Sequence, residues 1–203
     1  MRIIAGKFRG RRLVSFKADH IRPTTDRVKE SVFNKLQAEW DGASVLDLYA
    51  GTGNIGLEAL SRGASSVVAV ELSAKSIDII RRNIEELKVG REHRVVKDDV
   101  LKFIAKYTGP AFDIIMCDPP FTESLAHATL EHLANSVAVG STTTVVVEAS
   151  SHERVDEKYE NLVCWDRRDY GDKLISFWMR PSDSSTQLPS ELPSDPPPEE
   201  KPE

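Results

Sequence analysis

Hydrophobic and polar positions follow two different periods along this chain. From Ser44 onward, short continuous apolar runs alternate with stretches in which apolar residues recur every three or four positions. The runs are typical of strands buried on both faces of a parallel sheet, and the longer period is typical of helices that cover such a sheet. Five strands are predicted, at 44–48, 66–70, 93–97, 112–117 and 142–147. Four helices are predicted between them, at 55–62, 74–87, 101–107 and 124–135.

Both ends of the chain depart from this alternation. Near the N-terminus, 2–5 and 11–14 are predicted to form two short strands, followed by a helix from Thr24 or Thr25 to about Ala38. Near the C-terminus, 162–165 and 174–179 are predicted to pair antiparallel and close the sheet edge. Residues 181–203 are rich in Pro, Ser, Asp and Glu. Such a segment cannot bury a core, so we expect it to be disordered.

These elements predict an α/β fold with a mostly parallel sheet and an antiparallel edge. Its organisation is an N-terminal hairpin and helix extension over 1–40, an α/β domain over 41–180 and an acidic tail over 181–203. No apolar run approaches the ~20 residues that a membrane-spanning helix needs, and no signal-peptide pattern follows the N-terminus. Two cysteines lie far apart, and the five histidines are scattered. We therefore expect a cytoplasmic monomer with reduced thiols and without a metal site.

Charge is distributed unevenly along the chain, although the net charge is only −5. Residues 1–30 contain nine Lys and Arg against three Asp and Glu, whereas the segment 181–203 is acidic. A basic arm on an otherwise acidic protein is a candidate phosphate-binding surface. A solvated charged hairpin fits the charge alone equally well.

A glycine-rich segment with GxGxxG spacing, Gly51 to Gly56, follows the first predicted strand. Gly51 and Gly53 allow a tight turn and let the backbone approach a ligand that a Cβ would block. Glu71 ends the next strand, where a carboxylate can accept the ribose hydroxyls of an adenosine cofactor. This spacing alone does not distinguish a dinucleotide from S-adenosylmethionine.

Two further carboxylates favour S-adenosylmethionine as the cofactor. Asp47 lies four residues before Gly51 and would repel a pyrophosphate at this turn. S-adenosylmethionine has no phosphate but carries an ammonium group and a sulfonium cation, which suit an acidic strand end. Asp99 follows the third strand, where its carboxylate can accept from the adenine amino group. Asp98 is the alternative for that role.

Catalytic residues are predicted in the segment Asp118-Pro119-Pro120-Phe121, which follows the fourth strand. An amine on an aromatic ring is a poor nucleophile because its lone pair is delocalised into the ring. Asp118 can supply a carboxylate oxygen and Pro119 a backbone carbonyl, and together they can accept both N–H bonds of such an amine. Pro119 and Pro120 stiffen the backbone and bring no competing N–H, while Phe121 can stack on the base.

The residue type at position 118 bears on the choice of base. Guanine presents N1–H and N2–H side by side, and a carboxylate accepts both, whereas an amide would oppose one of them with its own donor. Asp118 therefore favours guanine N2 modestly, because enzymes that act on adenine N6 also use Asp. Either base must leave its stack to reach the pocket.

Six further segments are distinctive: MRIIAG at 1–6, RGR at 9–11, RPTTDRV at 22–28, FN at 33–34, LEALSRGA at 57–64 and YGD at 170–172. In these segments the chain resembles the bacterial 16S rRNA guanine-N2 methyltransferases of the RsmD type. The resemblance runs from Met1 to about Arg180, and Lys173 and the acidic tail depart from the usual pattern.

This resemblance implies a Rossmann-like class I methyltransferase that modifies one guanine of 16S rRNA in an assembling small ribosomal subunit. It implies that S-adenosylmethionine contacts Asp47, Gly51, Gly53, Glu71 and Asp99, and that Asp118 to Phe121 hold the base. It also implies that Arg22, Thr24 and Thr25 lie near the cofactor or the RNA, and that Arg9, Arg11 and Arg12 bind phosphates.

Three alternatives remain open at this point. One keeps the fold and moves the target to adenine N6 of DNA or RNA. The second is an NAD-dependent oxidoreductase, which the GxGxxG spacing and Glu71 allow but Asp47 and Asp118 disfavour. The third is an RNA-binding assembly factor with an inactive pocket.

Overall fold

The computed structural model describes residues 1–16, 26–121 and 125–181, without the side chains of Asp26 and Arg27. An eight-stranded sheet forms its centre, in the order β3-β2-β1-β4-β5-β8-β7-β6. The five strands from β3 to β5 are parallel, and β8, β7 and β6 continue the sheet antiparallel. The strands are β1 Ser44–Leu48, β2 Ser66–Glu71, β3 His93–Lys97, β4 Phe112–Cys117, β5 Val139–Ser150, β6 Lys158–Tyr159, β7 Leu162–Asp169 and β8 Lys173–Met179.

Five helices cover this sheet: α1 Asp26–Lys35, α2 Asn54–Ser61, α3 Ala74–Leu87, α4 Val100–Lys106 and α5 Leu125–Ala134. The sequence of α3 explains both its start and its orientation. Ser73 caps the helix by accepting a hydrogen bond from Ser76 N–H at 3.3 Å. Ile77, Ile80 and Leu87 lie at helical spacing and are buried, so each contributes about 1.5–3 kcal/mol through burial.

The core has two layers because neighbouring residues of a strand point to opposite faces of the sheet. In β1, Leu46 and Leu48 pack with Phe103 and Leu130 of α4 and α5. On the other face, Val45 lies in a cluster with residues of α1 and α2. That second cluster includes Val28, Val32, Phe33, Leu36 and Leu60. The buried residues of the first helix therefore form one apolar face that packs on the sheet.

The predicted α/β fold and its antiparallel edge are confirmed, with local corrections. The strands at 44–48, 93–97 and 112–117 have the predicted bounds, whereas β5 is longer than predicted and the two-residue β6 was not predicted. The predicted N-terminal strand pair reduces to one antiparallel bridge between Arg2 and Arg12, flanked by backbone hydrogen bonds from Ile3 and Gly10. Its apolar contacts are few, since Ile3 and Leu13 are the only buried hydrophobic residues of the described part of this arm, 1–16.

Strand order positions the ligand crevice. The chain proceeds from β1 outward through β2 to β3 and then returns to place β4 on the other side of β1. Ligands of open α/β sheets bind at such a reversal, beyond the carboxyl ends of the strands. The glycine-rich turn follows β1 and Asp118 follows β4, so both lie at this point. Among the described residues, no helix has the length and apolar character needed to cross a bilayer.

Candidate active site

A cavity of about 960 Å³ opens at the carboxyl ends of the parallel strands. Residues from the N-terminal arm, α1, the glycine-rich turn and the ends of β2, β4, β5 and β8 line it. Of the residues predicted to form the site, the cavity wall contains Gly51, Glu71, Asp99, Asp118, Pro119, Pro120 and Phe121. Arg22, Thr24 and Thr25 lie outside the described residues, as does the tail beyond 181.

The glycine-rich turn has the backbone conformation that its sequence predicts. Gly51 and Gly53 have φ angles of 56° and 76°, in the left-handed region that glycine enters without strain. A Cβ at Gly53 would lie 3.2 Å from two side-chain carbons of Ile80 on α3. Gly53 therefore allows the turn to pack closely against α3. Gly51, in contrast, lines the cavity.

Asp47 lies behind this turn, not on the cavity wall. Its side chain is buried, with 1% of the residue exposed, and Gly56 N–H donates to Oδ2 at 3.0 Å. Oδ1 has no hydrogen-bond partner among the described residues. Burial, together with the charge of Glu71, raises the pKa of Asp47 to about 7. Asp47 thus fixes the first turn of α2. It can affect a ligand in the cavity only indirectly, through the conformation of the glycine-rich turn.

Glu71 connects the turn to the end of β2. Gly51 N–H donates to its Oε2 at 2.8 Å, and Ser73 N–H donates to its Oε1 at 2.7 Å. Each carboxylate oxygen keeps a second lone pair, so the fixed carboxylate can still accept hydrogen bonds from a ligand in the cavity. The side chain is partly exposed there, as the prediction of a ribose acceptor requires.

Of the two carboxylates after β3, Asp99 is the one on the cavity wall. It caps α4 by accepting a hydrogen bond from Lys102 N–H at 3.0 Å. Asp98 instead forms an ion pair with Lys106, which lowers the pKa of its carboxyl group. Of the two carboxylates, Asp99 is therefore the one that a ligand in the cavity can reach.

The segment from Asp118 to Phe121 forms the opposite side of the cavity. Asp118 N–H donates to Leu48 O at 3.4 Å, which joins the end of β4 to the end of β1. Pro119 is buried, whereas 38% of Phe121 is exposed. A partly exposed aromatic ring on a cavity wall can stack on a planar ligand.

Four charged residues on the cavity wall were not predicted as site residues: Lys29, Glu148, Asp172 and Lys173. Glu148 ends the apolar run of β5 and forms an ion pair with Lys173 at the start of β8. Lys29 of α1 is buried and donates to Asn54 Oδ1 at 3.0 Å and to Arg2 O at 3.1 Å. A carboxylate directly after an apolar strand is the signal that could have identified Glu148, as it identified Glu71.

The N-terminal arm is attached to α2 beside the cavity. Glu58 is fully buried and accepts hydrogen bonds from Ile4 N–H at 2.8 Å and Ala5 N–H at 3.0 Å. The three arginines predicted to bind phosphates, Arg9, Arg11 and Arg12, are exposed on this arm. Arg11 also donates to Glu86 O of α3 at 3.0 Å. Met1, Ser15 and Phe16 of the same arm line the cavity.

Comparison with known proteins agrees with this geometry. The family described as Conserved hypothetical protein 95 matches residues 1–179. Ribosomal RNA small subunit methyltransferase D of Haemophilus influenzae is 38% identical over 138 residues, covering 67% of this chain and 72% of the relative. The protein of the same name from Escherichia coli K12 is 36% identical over 149 residues, covering 73% and 74%.

The chain therefore belongs to the family described as Conserved hypothetical protein 95. A solved structure from Escherichia coli, assigned as a methyltransferase, has 32% identity and a TM-score of 0.77, covering 89% of this chain and 97% of that one. A solved methylase structure from Haemophilus influenzae has 29% identity and a TM-score of 0.76, covering 88% and 97%. The predicted resemblance and the class I methyltransferase fold are therefore confirmed, and the oxidoreductase alternative is not supported.

Proposed function

We propose that this chain methylates the exocyclic N2 of a guanine in 16S rRNA of an assembling small ribosomal subunit. Family membership makes it an rRNA methyltransferase that uses S-adenosylmethionine. The observation that supports the finer proposal is the position of Asp118 to Phe121 on the wall of the cavity into which the glycine-rich turn opens. We expect the protein to act in the cytoplasm as a monomer.

The residues around the turn fit S-adenosylmethionine. Gly51 brings backbone to the cavity wall without a side chain, and Glu71 presents a carboxylate that two backbone N–H groups hold in place. We assign Glu71 to the ribose hydroxyls and Asp99 to the adenine amino group. Asp47 and Gly53 contribute by fixing the turn.

Asp118, Pro119 and Phe121 prepare the target amine. When bound, S-adenosylmethionine supplies an electrophilic methyl group on a sulfonium sulfur, which becomes a neutral thioether. Asp118 and the Pro119 carbonyl accept the two N–H bonds of the amine, so that the nitrogen becomes tetrahedral and its lone pair is directed out of the ring. The Asp118 carboxylate is also the base for the proton that the nitrogen must lose. Phe121 stacks on the ring and holds it in the reactive plane.

RNA binding is assigned to the N-terminal arm. Arg9, Arg11 and Arg12 are exposed on the same arm whose ends contribute Met1 and Phe16 to the cavity wall. Phosphates bound by this arm would therefore hold the target nucleotide next to the cavity. The prediction that Arg22, Thr24 and Thr25 contact cofactor or RNA remains part of this proposal.

The proposal is tested by incubating the protein with labelled S-adenosylmethionine and small subunits that lack the modification. Digestion and mass analysis then identify the methylated nucleoside and its position in 16S rRNA. N2-methylguanosine is expected from the wild-type protein, and the Asp118→Ala variant provides the background. N6-methyladenosine would keep the fold and overturn the choice of base. No incorporation by a protein that binds the cofactor would overturn the assembling subunit as substrate.

A further inference from the structure

The ion pair between Glu148 and Lys173 lies on the wall of the active-site cavity. Only 6% of Glu148 and 5% of Lys173 are exposed, yet both side chains line the cavity. The antiparallel pairing of β5 with β8 brings them together. Glu148 lies opposite Ile175 and Ser150 opposite Lys173, so the two charged residues are diagonal neighbours on one face of the sheet.

Their position relative to the proposed catalytic segment is equally well defined. The parallel pairing of β4 with β5 ends with Cys117 opposite Val147. Asp118 directly follows β4 and Glu148 is the next residue of β5, so the two carboxylates follow paired positions of adjacent strands. Lys173 Nζ lies 5.1 Å from the centroid of the Phe121 ring. The ion pair thus lies beside the proposed catalytic segment on the same cavity wall.

Stability alone is a weak reason for charges at this place. Removing two charges from water costs several kcal/mol per ion, and replacing a buried pair by apolar side chains is often neutral or stabilising. The neighbouring wall residues Met116, Val146 and Ile175 are apolar and buried, so an apolar pair would continue their surface. A charged pair in this apolar wall instead provides a fixed acceptor beside a fixed donor.

We propose that Glu148 and Lys173 recognise the N1–H and O6 edge of the target guanine and thereby determine the choice of base. This inference rests on the proposed function, because it concerns the same cavity and the same substrate. Guanine presents a donor at N1 and an acceptor at O6, which match a carboxylate and an ammonium group. In this arrangement Glu148, and not Asp118, accepts N1–H, and Asp118 accepts only from the amine. Adenine bound with N6 at Asp118 would instead place its N1 acceptor against the Glu148 carboxylate and its C2–H against the Lys173 ammonium group, so the pair would disfavour adenine.

The test uses a base that keeps the reactive amine and changes only this edge. 2,6-Diaminopurine has the 2-amino group of guanine, but its N1 is an acceptor and its position 6 carries an amino group. Small subunits are reconstituted with 16S rRNA that carries either base, introduced by ligation, at the nucleotide identified above. Single-turnover methylation rates are measured for wild type, Lys173→Met and the double variant Glu148→Leu/Lys173→Met. The double variant keeps the charge balanced, which protects against misfolding caused by an unpaired buried ion.

Wild type is expected to prefer guanine over 2,6-diaminopurine by roughly 10- to 100-fold, as for other bidentate base contacts. The double variant should lose most of this preference, because its rate on guanine falls while its rate on 2,6-diaminopurine does not. Lys35→Met is the matched control. It removes a largely buried lysine that pairs with Asp166 at 2.7 Å outside the cavity, and the preference should remain unchanged.

Two other results are informative. If the double variant slows both substrates by the same factor, the pair has only a structural role and the inference is wrong. If wild type methylates neither base at this position, the proposed function itself is wrong. This result differs from equal slowing of both substrates, so failure of the function and failure of the inference can be told apart.

Discussion

Replacing Glu58 by Gln tests whether one buried carboxylate attaches the N-terminal arm to the methyltransferase fold. The side chain is 0% exposed and accepts hydrogen bonds from Ile4 N–H, Ala5 N–H and, at 2.9 Å, Arg62 Nε. Lys29 Nζ lies 3.4 Å from its Oε2. Gln fills the same space, but its NH₂ group would face donors on one side, and the compensating negative charge would be absent.

The magnitude follows from these contacts. A hydrogen bond to a charged group contributes about 1.5–3 kcal/mol, and removing one partner of a buried ion pair costs about 3–5 kcal/mol. Contacts that share one carboxylate are not additive, so we expect the free energy of unfolding to fall by about 3–5 kcal/mol. For a domain of this size, that corresponds to a decrease in Tm of roughly 10 °C or more.

The assay is urea and thermal unfolding followed by circular dichroism, with Glu39→Gln as control. Glu39 is exposed and accepts one hydrogen bond from Thr144 Oγ1 at 3.0 Å, so its replacement should change stability by less than about 0.5 kcal/mol. Proteolysis should also cleave the first 16 residues faster in Glu58→Gln than in wild type, because the contacts of Ile4 and Ala5 with α2 are weakened. A Tm within about 2 °C of wild type would refute the assigned role of Glu58.

Three further predictions concern the cavity and the arm. Asp118→Ala should reduce the rate of methyl transfer by about 100-fold or more. Because the proposed contact of Asp118 is to the amine, the cofactor affinity measured by calorimetry should be nearly unchanged. Near-normal turnover would exclude the mechanism. Joint replacement of Arg9, Arg11 and Arg12 by Ala should weaken RNA binding. In filter-binding assays, the slope of the logarithm of the binding constant against the logarithm of the salt concentration should fall by roughly two units. An unchanged slope would place the phosphate contacts elsewhere. Burial raises the pKa of Asp47 to about 7 from an ordinary value of 3.8. The folded state therefore resists ionisation of this carboxyl group, and wild type should lose stability relative to Asp47→Asn as pH rises from 4 to 7. The free energies of unfolding of the two proteins are measured by urea titration at pH 4.5 and 7.5. A difference between wild type and variant that is the same at both pH values would contradict this prediction.

The sequence predicted the strands that the apolar pattern marks on its own. The runs at 93–97 and 112–117 have the predicted bounds, because strands buried on both faces contain few polar residues. The two residues of β6 were missed because so short a strand has no period. The arm was overestimated as a strand pair, since it has one antiparallel bridge and a few cross-strand hydrogen bonds, and side chains of the helices, among them Glu58, hold it in place.

The candidate site was predicted in part for a different reason. Glu71 and Asp118 could be found because each follows an apolar run at a place where parallel strands end. Which side of the turn Asp47 faces depends on the position of Gly56, and sequence spacing does not give this. The pairing of Glu148 with Lys173 depends on the register of β5 and β8, two strands separated by a long connection, so local patterns contain no sign of it.

Buried side chains join the N-terminal arm to the glycine-rich turn by hydrogen bonds. Asn83 of α3 is fully buried and bonds both groups of Val14, accepting from its N–H at 2.7 Å and donating to its carbonyl at 3.0 Å. The same Nδ2 donates to Thr52 O at 3.0 Å. One side chain therefore fixes the end of the arm to the glycine-rich turn, while Lys29 joins Arg2 O to Asn54 on the other side. Because buried hydrogen-bond networks of this kind are costly to leave incomplete, the arm cannot shift without disturbing the turn. Under the proposed function, the fold itself would set the distance from phosphates bound by the arm to the methyl donor, and holding reactants in position is one way in which an enzyme gains rate.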